Sequence, residues 1–260
     1  MLQGCADKAP APPTRSPVNF ERVSLDPIVH GERLSAVLGC SGCHGENLDG
    51  KDWSDPEFVI MWTSNLSRVV PTYTDTQLEK AISGGVRPDG SALWDMPSHL
   101  FTKLSADDMR ALTQFLRSKP AIGAMRPRPQ FRPAARKEMA AGLYKSSAAL
   151  VAEQGNRWPP DVGAGHALGR YIVRATCAEC HQLDLRGGVP YPGAPPRADL
   201  RVAASYDSAA FKRLLRTGVA AGNRDLGLMS EVARSRYSKF TDAEITAIYD
   251  YLQAVARQSS

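Results

Sequence analysis

The sequence contains no run of 18 consecutive apolar residues, about the shortest length that reads as a membrane-spanning helix. We therefore expect no part of it to cross a membrane as a helix. It also lacks a basic stripe: the net charge is +5 and the pI is near 9.0, but lysine and arginine are scattered along the chain. Nucleic-acid binding is therefore not expected. Its 260 residues are enough for two small domains.

Cysteine is scarce, and four of the five cysteines stand in two matching motifs. Residues 40–44 read Cys-Ser-Gly-Cys-His, and residues 177–181 read Cys-Ala-Glu-Cys-His. Cys-x-x-Cys-His is the attachment motif of a c-type haem. Cysteines three apart lie on one face of a helical turn, so both sulfurs can form thioethers to one porphyrin. His44 or His181 would then bind the iron. The predicted attachment residues of two covalent haems are Cys40, Cys43, His44, Cys177, Cys180 and His181.

The alternatives for these motifs are a zinc site, a redox-active dithiol and chance. Zinc ribbons place their cysteine pairs roughly 15–20 residues apart, whereas Cys177 follows Cys40 by 137 residues. A thioredoxin-like dithiol needs neighbouring strands, and no strand pattern flanks either motif. The repetition of the motif favours haem. Covalent haem attachment takes place outside the bacterial cytoplasm, so we expect a periplasmic protein.

A helical pattern surrounds the first motif. Apolar residues at helical spacing over 31–39 lead into Cys40. A capping box at 74–77 opens a second helix, which stops at Gly85. Ser105 caps a third helix that has one apolar stripe. The sequence therefore predicts an all-α domain over residues 26–121.

Residues 156–260 repeat this plan. A helix over 165–173 precedes Cys177, Asp207 caps the next helix, and a capping box at 241–244 opens the last one. Each repeat is about 100 residues long, which is marginal for a core made of protein alone. We therefore expect the haem-free chain to be largely unfolded.

The iron of each haem needs a sixth ligand. Met96 is the candidate in the first domain, with His99 as its rival, because thioether and imidazole both bind haem iron. Met229 is the candidate in the second domain, where it is the methionine that follows His181. Met229 follows Met96 by 133 residues, as Gly218 follows Gly85, so the repeat favours the two methionines. The other methionines of the first domain and His166 of the second are weaker candidates.

The remaining cysteine, Cys5, stands in a Pro-rich tail over residues 1–25. Leu2-Gln3-Gly4-Cys5 resembles a bacterial lipoprotein box, so Cys5 is a candidate for lipidation and for tethering the protein to a membrane. The competing interpretation is a stray thiol.

Residues 122–155 are predicted to link the domains. Four prolines and several arginines lie between 119 and 135, and a weak helix is expected over 136–151, packed against a domain. The arginines favour a solvated strap over a site for haem propionates or for an acidic partner.

Several stretches resemble a known family. The segment Gly85-Val-Arg-Pro-Asp-Gly-Ser, followed by Leu93-Trp94 and Met96-Pro97, resembles the dihaem and multihaem c-type cytochromes. Arg213-Leu-Leu-Arg-Thr-Gly and Leu226-Gly-Leu-Met in the second half do so too. Both are most similar to cytochrome subunits of membrane-bound alcohol and gluconate dehydrogenases. The resemblance implies two tandem class I cytochrome c domains with histidine and methionine on each iron.

Electron transfer is the leading functional hypothesis, because histidine and methionine on both irons leave no position for a substrate. The expected partners are redox proteins, such as a dehydrogenase, an oxidase or another cytochrome, that dock transiently. The alternatives are a dihaem peroxidase, which needs one iron to lose its sixth ligand, and a haem-based sensor lipoprotein.

Overall fold

The computed structural model describes residues 18–191 and 193–258. Cys5 lies outside the described residues, so its lipidation stays a prediction. Within the described part of the chain, no helix is both long enough and apolar enough to cross a membrane.

The described residues are mostly helical. The α-helices are α1 Pro27–Val37, α2 Cys40–His44, α3 Leu66–Val69, α4 Asp75–Gly84, α5 Ser98–Phe101, α6 Ala106–Ser118, α7 Pro133–Ala140, α8 Ser147–Gln154, α9 Ala167–Thr176, α10 Ala178–His181, α11 Ser208–Thr217, α12 Leu228–Ser235 and α13 Asp242–Gln258. Short 3-10 turns occupy Val70–Thr72, Ala164–His166, Leu200–Ser205, Ala221–Asn223 and Tyr237–Lys239. The strands are β1 Val59–Ile60, β2 Gln130–Phe131, β3 Val219–Ala220 and β4 Arg224–Asp225, paired antiparallel as β1 with β2 and β3 with β4.

The first domain is built on the crossing of α1 and α6. Gly31 lies at this crossing, where a Cβ atom would come within 2.0 Å of the carbonyl oxygen of Ala111. The glycine therefore lets the two backbones approach closely. The apolar stripe of α6, including Leu112 and Leu116, is buried against α1 and the loops around it.

The second domain repeats this crossing with α9 and α13. A Cβ atom at Gly169 would lie 2.1 Å from the carbonyl oxygen of Ala247. Ile248 and Leu252 of α13 are buried, as the predicted stripe requires. The two domains are therefore built alike, and the predicted repeat is present in three dimensions.

The predicted helix starts are confirmed. The Thr74 hydroxyl accepts from the backbone amide of Gln77, whose side chain in turn accepts from the amide of Thr74. Thr241 and Glu244 form the same capping box at the start of α13. The N-caps of α6 and α11 are Ser105 and Asp207, as expected. Short-range sequence signals were sufficient to place these four helices.

The link differs from the expectation in two ways. The single helix predicted over 136–151 is wrong: α7 and α8 are separate helices, and Leu143 between them is exposed. The link is also folded onto the first domain, because β2 pairs with β1 and α8 packs against α4 and α5. Arg126 stacks over Trp62, and Arg128 forms an ion pair with Asp89. Arg128 nevertheless stays 57% exposed, so the predicted solvated strap describes it, although its ion pair and the stacking of Arg126 also attach the link to the first domain.

The two domains pack together through buried polar contacts. Arg33 of α1 forms a two-pronged ion pair with the fully buried Glu244 of α13, at 2.8 and 3.0 Å. The Tyr171 hydroxyl of α9 donates to the buried Asp108 carboxylate of α6 at 2.6 Å. The buried apolar residues of both domains form one continuous cluster. The domain interface is therefore part of the core.

Candidate haem-binding sites

The two Cys-x-x-Cys-His motifs form single helical turns that follow α1 and α9. The first turn starts after Gly39, whose φ of 85° breaks the helix, whereas the second continues directly from α9. The structure therefore places both cysteine pairs on helical turns, as the spacing predicted.

In both domains, the ring of the motif histidine contacts a backbone carbonyl. Nδ1 of His44 lies 2.8 Å from the carbonyl oxygen of Ser64, and Nδ1 of His181 lies 2.7 Å from that of Ala198. A carbonyl can only accept, so each Nδ1 carries the proton and each Nε2 keeps a free lone pair. Burial lowers the pKa of both imidazoles, which keeps them neutral. A neutral imidazole whose Nδ1 is held by a hydrogen bond is oriented to bind iron through Nε2.

The first motif lies on the wall of a large apolar cavity. This cavity holds about 1260 Å³ of empty space, counted out to its open mouth. Cys40, Cys43, His44 and Met96 all line it, so the structure brings the predicted residues of the first site together. The rest of the wall is largely aliphatic and aromatic: Leu38, Trp53, Met61, Trp62, Leu66, Val69, Val70, Tyr73, Leu78, Ala81, Ile82, Leu93, Trp94, Phe101, Leu112 and Leu116.

Met61 and Met96 both line this cavity, although the sequence favours only Met96 as a ligand. Met61 is buried and lines the wall as Met96 does. Met61, however, stands three residues before Ser64, in the segment whose carbonyl binds the ring of His44. His99, the rival to Met96, is not among the lining residues. The geometry therefore favours Met96 as the residue facing the histidine.

The link holds the segment that carries Met96. The amide of Ser147 donates to the carbonyl of Leu93 at 2.8 Å, and the Tyr144 hydroxyl donates to Asp95 at 3.0 Å. The ring of Trp94 packs against those of Tyr144 and Phe131, with centroids 4.9 and 4.8 Å apart. The link therefore helps to fix the position of Met96, a role that the sequence did not indicate.

The second motif lies on a similar cavity of about 1530 Å³, measured in the same way. Cys177, Cys180, His181 and Met229 all line it. Met229 stands in the first turn of α12, whereas Met96 precedes α5. Ser230 follows Met229, and its buried hydroxyl donates to the carbonyl of Gly218. In the second domain, the residue after the methionine therefore contacts the glycine that ends α11.

Each cavity also has a cation on its wall. Arg87 lines the first cavity and Arg197 lines the second, and they are the arginines among the described lining residues. Guanidinium groups at largely apolar walls suit the propionate carboxylates of a porphyrin. Both arginines were missed as site residues, although Arg87 lies within the segment that carries the family resemblance. The Ser64 and Ala198 carbonyls were also missed, because a backbone acceptor has no sequence signal.

The residues present fit haem c. An apolar cavity with two thiols on one helical turn, a neutral imidazole and a cation is what a covalently attached porphyrin requires. Two such cavities in one helical chain define a tandem c-type cytochrome.

The family model described as Cytochrome c matches the chain twice, over residues 28–120 and 166–256. The chain belongs to the cytochrome c family, and it carries two covalently bound haem c groups. The predicted all-α tandem fold and the predicted cofactors are confirmed.

A curated relative points in the same direction. The fructose dehydrogenase cytochrome subunit of Gluconobacter japonicus is 25% identical to this chain over 289 residues. The match includes 98% of this chain and 57% of that protein, so the chain spans little more than half of its relative's length. The resemblance to dehydrogenase-linked cytochromes is confirmed, and the similarity supports electron transfer.

Proposed function

We propose that this protein carries single electrons between redox partners in the periplasm. His44 and Met96 are the proposed axial ligands at the first site, and His181 and Met229 are those at the second. Bound haem c supplies the one-electron Fe(III)/Fe(II) couple. The protein itself transforms no substrate in this proposal.

The observation that carries the proposal is the shared arrangement of the two cavities. In each one, an imidazole whose Nδ1–H is held by a carbonyl shares the wall with a methionine. The hydrogen bond fixes the ring and makes Nε2 a better donor to iron. A thioether as the second ligand favours Fe(II) and raises the reduction potential. If the histidine and the methionine of each cavity both bind the iron, neither site would offer the vacancy that a peroxidase needs.

The cavity mouths suit brief contacts with other proteins. Trp53 at the first cavity and Val202, Leu226 and Leu228 at the second are exposed apolar residues. A small apolar contact of this kind permits fast binding and release, as redox partners require. The similarity to a dehydrogenase cytochrome subunit supports a dehydrogenase as the electron donor. A lipid on Cys5 would keep the carrier at a membrane surface near such partners.

Optical redox titration of the purified protein, with added CO or peroxide, tests this function. We expect two six-coordinate haems with high potentials, no CO adduct of the reduced protein and no turnover of peroxide. Rapid peroxide consumption would instead favour the enzyme. Binding of CO to one reduced haem, without turnover of peroxide, would favour the sensor.

A further inference from the structure

The two attachment turns meet across the domain interface. Glu179 stands between Cys177 and Cys180 in the second turn, yet it lines the first cavity. The second attachment turn is therefore part of the wall of the first haem site.

Arg236 joins the two turns. Its Nη1 donates to Oε2 of Glu179 at 2.7 Å, and its Nη2 and Nε donate to the carbonyl of Val37 at 3.3 and 3.4 Å. The side chain of Arg236 is only 12% exposed. Val37 ends α1, three residues before Cys40. One guanidinium therefore binds the chain directly before the first turn and the acidic residue inside the second.

The first domain is shaped to receive this arginine. A Cβ atom at Gly39 would lie 2.5 Å from Cζ of Arg236, and the φ of 85° at Gly39 also disfavours other residues. Cys40 is nine positions after Gly31, but Cys177 is only eight positions after the equivalent Gly169. The first repeat therefore has an extra residue in the segment that contains Gly39. The contact is thus a particular feature of this interface, not a consequence of the repeated fold.

The pair also places two opposite charges beside both sites. Glu179 lines the first cavity and stands between the two cysteines of the second attachment turn, and Arg236 pairs with it at 2.7 Å. Charges in this position act on charge that changes inside both cavities.

We propose that Arg236 and Glu179 form a charged bridge that couples the two redox sites, by holding the second attachment turn against the first cavity and by setting both midpoint potentials. This proposal rests on the electron-transfer function, but it concerns the coupling between sites and not the external partners. Arg236 and Glu179 are positioning residues, since neither is proposed to bind iron.

Spectroelectrochemical titration of the holoprotein and two variants tests the bridge. Arg236→Gln removes the cation and leaves Glu179, so we expect both potentials to fall. Glu179→Gln removes the anion with little change in shape, so we expect both potentials to rise. A unit charge within roughly 12 Å changes the oxidised-to-reduced ratio by about tenfold at an effective dielectric constant of about 20. Arg110→Gln is the matched control, because Arg110 is exposed, pairs with Asp107 and lines neither cavity.

Hydrogen exchange gives a readout that does not depend on redox state. Arg236→Lys keeps the charge but cannot contact both Glu179 and the Val37 carbonyl. We therefore expect potentials near those of the wild type, together with faster exchange around Gly39–Cys43. Unchanged potentials in Glu179→Gln, with both haems attached and their ligands intact, would refute the bridge. Shifts of the same sign in Glu179→Gln and Arg236→Gln would also refute it. These measurements use the protein without any redox partner. Their results therefore do not depend on which proteins donate electrons to it or accept electrons from it.

Discussion

The carbonyl oxygen of Ala111 occupies the place where Gly31 would carry a Cβ atom, 2.0 Å from its ideal position. The same relationship recurs between Gly169 and Ala247 in the second domain. In each domain, the helix before the attachment turn is therefore locked against the last helix. The position of the motif cysteines depends on this crossing.

Substitution of Gly31 by alanine should destabilise the first domain. The added methyl group meets backbone, which cannot rotate away, so α1 must move from α6 at a cost of about 1–3 kcal/mol. Denaturant unfolding of the holoprotein measures this as a lower midpoint at an unchanged slope. Gly165→Ala is the control, since a Cβ atom there meets nothing within 4 Å. Equal stability of the two variants would contradict the role given to the crossing.

Replacement of the proposed methionine ligands should open the sites one at a time. Met229→Ala should let the second haem bind CO when reduced, and Met96→Ala should do so for the first. The potential of the altered haem should fall by roughly 0.1 V or more, within the span of about 0.8 V that axial ligands cover. Optical titration in the presence and absence of CO measures both effects.

Two further variants test the rivals of Met96. Met61→Leu and His99→Gln should each keep a six-coordinate first haem, because the proposed sulfur ligand is untouched. A CO adduct that forms in Met61→Leu, but not in Met96→Ala, would assign the ligand to Met61. Met125→Leu controls for loss of a methionine, since Met125 is exposed.

Acid should weaken the first domain through His99. Burial, with a smaller contribution from Arg174, lowers the pKa of His99 to about 4 from an ordinary value of 6.5. The unfolded chain therefore binds a proton between these pH values while the folded chain does not, and stability falls as the pH drops from about 6.5 to 4. We expect His99 to account for about 1–2 kcal/mol of this loss, since it is partly exposed to solvent.

Denaturant unfolding at pH 7 and at pH 4.5 measures this effect. His99→Gln should be less sensitive to acid than the wild type, because glutamine does not titrate. His166→Gln is the matched histidine control, and it should keep the wild-type difference between the two pH values. The same loss of stability in His99→Gln as in the wild type would place the responsible group elsewhere.

Removal of the haems should unfold most of the chain. Each cavity, counted out to its open mouth, holds more than 1000 Å³ and has a largely apolar wall, in a domain of about 100 residues. A variant with alanine at all four motif cysteines should lack covalent haem and lose most of its helical circular dichroism. A cooperatively folded, helical product of that variant would contradict this expectation.

Local patterns predicted much of the fold. The capping residues Thr74, Ser105, Asp207 and Thr241 were identified from sequence because a cap and its partner lie within three residues of each other. The apolar stripes of α6 and α13 were also evident, since helical spacing repeats along the chain. The link was predicted less well, because its helices depend on packing against the first domain.

By itself, the sequence determined the number of haem sites and the repeated helical plan, and it predicted the attachment residues. Each of these depends on residues that are close neighbours in the chain, so their chemistry can be recognised without a fold. Only the tertiary structure decided which carbonyls orient His44 and His181, and that Arg236 joins the two attachment turns. A backbone carbonyl is the same group in every residue. Arg236 is 57 residues from Glu179 and 199 from Val37, and only packing of the two domains brings such distant groups together.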